Sequence, residues 1–160
     1  MIRIRSAEHS DLDAIRALLV ETWHDTYDSI LGTEQVTAIT DDWHSLENLA
    51  RAIGRPDHAF LLAEVDGRIA GTASATLDGP GHLNLDRIYV RPGMQRRGIG
   101  QALLAAIRDA FPETRSMALE VERRNQIGLA FYRKLGFRDA GQTGTCGGHG
   151  DSVRMRIDWT

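Results

Sequence analysis

Between residues 83 and 122 the chain writes a strand, LNLDRIYV, a break at Pro92 and Gly93, a helix within IGQALLAAIRDAF and a second strand, SMALEVE. Two strands joined through a helix lie parallel with a right-handed crossover, because the connection must carry the chain back to the starting edge of the sheet. Just upstream, AFLLAEVDGRIAGTASATL reads as two strands joined at Asp66-Gly67, a dipeptide suited to the positive-φ geometry of a tight hairpin. Antiparallel strands beside a parallel pair make a mixed sheet, and such a junction can leave a crevice at the strand ends where ligands sit.

The remaining segments extend this frame. IRIRSA alternates as a first strand with Ile2 and Ile4 on one face. SDLDAIRALLVETWHDTY reads as a helix, opened by Ser10 with Asp13 three residues on, a variant of the capping box, and it places Leu12, Ile15, Leu19 and Trp23 near one face. A second helix is expected over much of TEQVTAITDDWHSLENLARAI, ending at Gly54 and Pro56. After SMALEVE come a helix in QIGLAFYRKLGF and two last strands, FRDAGQT and SVRMRIDW, separated by the glycine-rich GTCGGHGD, which reads as a flexible turn or a lid. The order is strand, two helices, three strands, helix, strand, helix, strand, strand. It predicts a single α/β domain over residues 1–160 with a mixed, mostly antiparallel sheet of about seven strands flanked by helices.

Composition excludes several functions. With 42% hydrophobic and 26% charged residues the chain resembles an ordinary globular protein. No apolar run approaches the roughly 18 residues of a membrane helix, and MIRIRSAEHSD lacks the apolar core of a signal peptide, so a cytoplasmic protein with no membrane partner is expected. The one cysteine, Cys146, excludes an internal disulfide and reads as a spectator thiol. His24, His44, His58, His82 and His149 have no metal-ligand spacing, so no metal is assigned. A formal net charge of −3 argues against nucleic acid as a partner. Yet Arg87, Arg91, Arg96 and Arg97 gather ahead of one helix, and Arg123 and Arg124 ahead of another. Such clusters suit a small polyanion, or are solvated surface.

The stretch MQRRGIG, residues 94–100, stands at the mouth of the QALLAAI helix. A helix N-terminus presents amides without intrahelical partners and a partial positive charge, so an anion is its natural guest. Gly98 and Gly100 remove Cβ atoms that would hold a ligand off the backbone, and Arg96 and Arg97 can add charged contacts. Known nucleotide loops do not fit: no Gly-Lys-Ser/Thr follows, and position 103, where a dinucleotide fingerprint needs glycine, is Leu103.

In its context, LDRIYVRPGMQRRGIGQALL resembles the acetyl-CoA-binding segment of the GNAT superfamily of N-acetyltransferases. The family signature, Gln/Arg-x-x-Gly-x-Gly/Ala after a strand and opening a helix, stands here as Gln95-Arg96-Arg97-Gly98-Ile99-Gly100. A second family segment is matched by Asn125, Phe131-Tyr132 and Gly136-Phe137, with Gly128 where alanine is more usual. The resemblance implies a GNAT-like sheet whose splayed parallel pair forms the acetyl-CoA cleft, with acetyl-CoA as the acetyl donor.

It also implies roles. Amides of Gln95, Arg96, Arg97, Gly98, Ile99 and Gly100 would hold the pyrophosphate, with Ile88, Tyr89 and Val90 pairing along the pantetheine arm as an added strand and Asn125 completing the cofactor set. A lysine-like amine costs roughly 4–5 kcal/mol to deprotonate at pH 7, so a base is needed. Asp86 is the first candidate and Glu120 the second, each requiring burial or a water relay, and Asp86 could equally be a solvated strand residue. Tyr132 matches the family's proton donor to the leaving thiolate. Trp23 and Tyr27, one helical turn apart, line an acceptor pocket or form core. Asp25, Asp28, Asp41 and Asp42 suit a cationic amine or are a solvated face. The expected function is transfer of acetyl to a primary amine of a small molecule. Alternatives are a protein N-terminus or lysine as acceptor, or an acyl-CoA sensor without catalysis; the resemblance makes a homodimer plausible.

Overall fold

The computed structural model describes residues 1–145 and 151–159; the glycine-rich stretch with Cys146 and His149 lies outside the described residues. Its elements run β1 (Ile2–Ser6), a short 3-10 turn (His9–Asp11), α1 (Leu12–Leu31), α2 (Thr33–Trp43), α3 (Leu46–Ala52), β2 (His58–Val65), β3 (Arg68–Leu77), β4 (His82–Val90), α4 (Ile99–Ala110), β5 (Ser116–Glu122), α5 (Gln126–Lys134), β6 (Arg138–Thr145) and β7 (Asp151–Asp158). The strands form one seven-stranded sheet in the order β1-β2-β3-β4-β5-β7-β6. β4 and β5 pair in parallel, from His82↔Ser116 to Asn84↔Ala118, and the other registers resolved are antiparallel. The mixed sheet expected from the strand–helix–strand unit is therefore present. No helix among the described residues is long and apolar enough to cross a membrane.

The chain divides into two compact units, one of Met1–Thr76 and Asp86–Pro112, the other of Leu77–Leu85 and Glu113–Thr160. In the first, the hairpin turns at Asp66-Gly67 as expected, with φ of 52° and 78° at the two turn residues and Val65 opposite Arg68. Ile15 and Leu19 of α1 pack with Leu49 of α3 and with Phe60 and Leu62 of β2. Ile99, Leu103 and Ile107, four residues apart along α4, are fully buried, the stripe of an amphipathic helix seated on β1 and β2. In the second unit Leu83, Met117, Leu119, Val121, Leu129, Phe137 and Met155 are buried.

Two expectations about the helices are corrected. The chain enters α1 through a capping box of Glu8 and Asp11, not Ser10 and Asp13. Asp11 is committed there: it accepts from the Glu8 amide at 2.8 Å and from both Nη atoms of Arg5 at 2.8 Å, and the Arg5 bonds hold its carboxyl below the usual range. The second helix is two helices. His44 leaves the helical region, and Ser45, extended at ψ 152°, accepts from the Asn48 amide at 3.1 Å and so caps α3.

Close approach of backbones is required at Gly71 on β3. A Cβ there would stand 2.9 Å from the Tyr89 carbonyl and 3.1 Å from Ile99 Cγ2. Gly71→Ala is expected to lower unfolding free energy by about 1–3 kcal/mol, because a backbone atom cannot swing aside. Urea denaturation with an unchanged m-value checks this; a variant as stable as the parent would contradict the contact.

Candidate functional site

In the first unit β4 ends at Val90, and residues 91–98 wind into α4. The Arg91 amide donates to the Ala70 carbonyl at 2.7 Å, and the Arg91 side chain is held by Glu21 (Nη1 to Oε2, 2.6 Å) and by the Ile69 carbonyl. Of the four arginines before this helix, Arg91 is thus anchored to the scaffold. Gln95, Arg96, Arg97 and Gly98 stand exposed, whereas Ile99 and Gly100 are buried. Arg96 at φ 66° and Gly98 at φ 78° both occupy the left-handed region, which is uncommon for a residue with a side chain. α4 begins at Gly98 with no side-chain capping bond, and its first backbone bond runs from the Ala102 amide to the Gly98 carbonyl. The amides of Ile99, Gly100 and Gln101 therefore precede the helical ladder, in the arrangement that binds oxyanions.

Further back along β4, Asp86 accepts from Thr76 Oγ1 at 2.6 Å and lies 3.6 Å from His58 Nδ1, which itself sits 2.8 Å from Thr76 Oγ1. One hydroxyl carries one proton. If Thr76 donates to Asp86, then His58 Nδ1–H donates to Thr76, and the tautomer is fixed with Nε2 bare. That Nε2 is buried and has no hydrogen-bond partner among the described residues. Burial holds His58 below the ordinary histidine value against the opposing pull of Asp86. His58 also lines a cavity of ≈ 340 Å³ with Ser6, Ile53, Phe60 and Phe111. Sequence reading looked at the histidines for metal spacing and missed this chain of three, which β2–β3 pairing creates by setting His58 opposite Thr76.

The expected pair Trp23 and Tyr27 does come together, with ring centroids 4.5 Å apart, but both are buried, at 4% and 7% exposure, against Val36 and Ile39. Trp23 belongs to the core, as one of the two readings held. Its indole Nε1 donates to the Tyr89 hydroxyl at 2.9 Å, fastening α1 to β4. Trp43 and His44, at the end of α2, close around it with centroids 5.5 and 5.6 Å from Trp23. Arg87 points to the same place and donates to the Trp43 carbonyl at 3.3 Å. Of the four nearby acidic residues, Asp28 pairs with His24 (2.7 Å), Asp41 with Arg16 (3.0 Å), and Asp25 and Asp42 are exposed.

In the second unit Tyr132 is partly buried on α5, its ring 5.3 Å from Phe131 and 5.9 Å from Phe137. Asn125 caps that helix, its Oδ1 accepting from the Gly128 amide at 2.9 Å. This cap explains the glycine: a Cβ at 128 would press to 2.9 Å from Asn125 Cγ. Glu120 is exposed and lies opposite Arg154 on β7, so burial gives it no help as a base. The buried carboxylate of β5 is Glu122, 2% exposed and paired with Arg124 at 2.9 Å, which alternation along the strand did not single out. No group of three or more His, Cys, Asp or Glu able to hold a metal occurs among the described residues.

A family model described as "Acetyltransferase (GNAT) family" matches residues 12–137. A spermidine N(1)-acetyltransferase of Thermoplasma acidophilum is 28% identical over 143 residues, covering 86% of this chain and 88% of its own. The crystal structure of PaiA N-acetyltransferase from Thermoplasma acidophilum, in complex with coenzyme A, superposes with a TM-score of 0.91 at 25% identity over 99% of both chains. The ribosomal-protein-S18-alanine N-acetyltransferase of Escherichia coli gives 0.72 at 25% identity, over 100% of this chain and 95% of its own.

His44 supplies a pH signature. It is 2% exposed, and burial, with Arg87 and Arg16 adding to it, pushes it down to about 3. The unfolded chain binds a proton there below about pH 6.5 while the folded one does not, so stability is complete above 6.5 and declines as pH falls towards 3. Between pH 6.5 and 5 this single group costs about 2 kcal/mol. Denaturation at both pH values should show His44→Leu losing markedly less stability than the parent across that interval; equal losses would mean that His44 is not held neutral.

Proposed function

The chain belongs to the GNAT acetyltransferase family and is an N-acetyltransferase; on that premise we propose that it moves an acetyl group from acetyl-CoA to a primary amine of a small molecule by direct attack on the thioester. The observation that carries the reading is the uncapped mouth of α4 behind left-handed Arg96 and Gly98, an oxyanion cradle with two exposed arginines. It fits a pyrophosphate. In this reading the amides from Gln95 to Gly100 hold the pyrophosphate, Ile88, Tyr89 and Val90 run beside the pantetheine, and Asn125 completes the cofactor set while capping α5. The bound donor supplies an activated thioester carbonyl.

This chain's own groups handle the protons. Asp86, oriented by the Thr76 hydroxyl, takes the ammonium proton. Both carboxylates are exposed, and the Thr76 hydroxyl and His58 ring beside Asp86 favour it over Glu120. Tyr132 gives a proton to the departing thiolate, and its packing against Phe131 and Phe137 fixes the ring. A small amine as acceptor is supported by the relative named for spermidine. The family match, running through both compact units, supports one domain over residues 1–160. A homodimer and a cytoplasmic location rest on the resemblance and on composition.

Acetyl-CoA-dependent thiol release across polyamines, amino acids, aminoglycosides and short peptides tests the activity. Turnover confined to small amines is expected, and turnover confined to peptides would move the acceptor to protein. Binding of acetyl-CoA with no turnover at all would make the chain a sensor. Tyr132→Phe should lower kcat at least tenfold with acetyl-CoA affinity nearly kept, and full turnover would remove it from the mechanism. Asp86→Asn should lose most at pH 7 and recover as pH rises towards the pKa of the amine, where free base needs no acceptor for its proton. A loss independent of pH would exclude Asp86 as base.

A further inference from the structure

Two polar groups at the junction of α2 and α3 have fewer bonds than their burial demands. The Arg87 guanidinium has five N–H donors and, among the described residues, one hydrogen bond, a long one to the neutral Trp43 carbonyl. Among the described residues no carboxylate stands within ion-pair distance of it. The charges it feels belong to Tyr89 and Asp86 of its own strand, and Asp86 is bonded to Thr76. Desolvation is nevertheless the strongest influence on Arg87, lowering its pKa. A cation partly removed from water and met by one neutral acceptor is costly, and a polar group so under-satisfied calls for a reason, a bound water, ion or ligand among them.

The second group is His44, the residue directly after the one Arg87 bonds. It is 2% exposed, and neither ring nitrogen has a hydrogen-bond partner among the described residues. As a neutral imidazole it holds one N–H donor and one bare nitrogen, and leaving either unmet is unfavourable. Arg87 on β4 has the larger influence of the two cations acting on it; the other, Arg16 on α1, is already paired with Asp41. Trp23, Trp43 and Tyr89 wall the spot, which keeps polar interactions there strong.

We propose that the acceptor amine carries a carboxylate, received by the Arg87 guanidinium and the His44 ring N–H beside the α2–α3 junction. The proposal rests on the amine acetylation proposed above and names its substrate class. One carboxylate answers both orphans, with one oxygen for the guanidinium and the other for the imidazole N–H. A polyamine meets the reverse: its second ammonium faces Arg87, and the acidic side chains of α1 and α2 that would hold it are paired with His24 and Arg16 or stand exposed.

The test uses amines matched except for the carboxylate: lysine against cadaverine, ornithine against putrescine, phenylalanine against phenethylamine. The native protein should favour the carboxylate-bearing member by about tenfold or more in kcat/KM, the size expected for one charged hydrogen-bonding contact. Arg87→Gln should bring the ratio near one, chiefly through KM, and Arg87→Lys should restore part of it. A native preference for the decarboxylated member, or no preference, overturns the proposal without any variant. So does an Arg87→Gln loss that falls on kcat equally for both members, which would put Arg87 on the thioester. Absence of turnover with every amine defeats the acetylation reading instead. Calorimetric titration of lysine and cadaverine into the CoA-saturated protein then decides this one: about tenfold tighter lysine supports it and equal affinities overturn it.

Discussion

The indole of Trp23 donates to the Tyr89 hydroxyl across 2.9 Å, and the packing of α1 and α2 on β4 is arranged around that bond. An indole N–H buried without a partner would be unfavourable, so α1 can lie on β4 only where this donor meets an oxygen. With α1 so placed, Tyr27 stacks behind Trp23, and Val36 and Ile39 of α2 complete the cluster. The end of α2 then brings Trp43 and His44 over β4, where Arg87 meets the Trp43 carbonyl. One side-chain bond thus determines which polar residues of β4 face which helix.

β4 is a core strand and a polar surface at once. Leu83, Leu85 and Ile88 are buried, whereas Asp86, Arg87 and Tyr89 carry the strand's polar contacts to other elements. Each of these three is held by another element: Asp86 by Thr76 of β3, Arg87 by α2, Tyr89 by α1. Such restraint is what a site needs, since a reacting group misplaced by an ångström loses most of its advantage. The Asn125 cap and the glycine it requires at 128 do comparable work at the start of α5, ahead of Tyr132.

Local signals were legible in the sequence and non-local ones were not. Asp66-Gly67 demanded a hairpin and made one, because two adjacent residues determine a tight turn. MQRRGIG announced the entry into a helix for the same reason: glycine at 98 and the onset of α4 are matters of a few residues. The split at His44-Ser45 was written as a capping signal, Ser45 ahead of LENLA, but the long apolar period around it masked the cap. That Trp23 and Tyr27 share a helix face follows from spacing, whereas their burial depends on α2 packing over them. The pairings of His58 with Thr76 and Asp86, and of Arg87 with the Trp43 carbonyl, join residues 18 to 44 positions apart and exist only once strands and helices are assembled.

The account depends most on the claim that the left-handed entry into α4 receives a pyrophosphate, and calorimetric titration of acetyl-CoA into the native protein and Gly98→Val tests it directly. Valine cannot hold φ near 78° without strain, so the turn must rearrange while the fold, checked by circular dichroism, remains. The account predicts one-to-one binding by the native protein and at least tenfold weaker binding by the variant. Equal affinity in a folded Gly98→Val protein would contradict it.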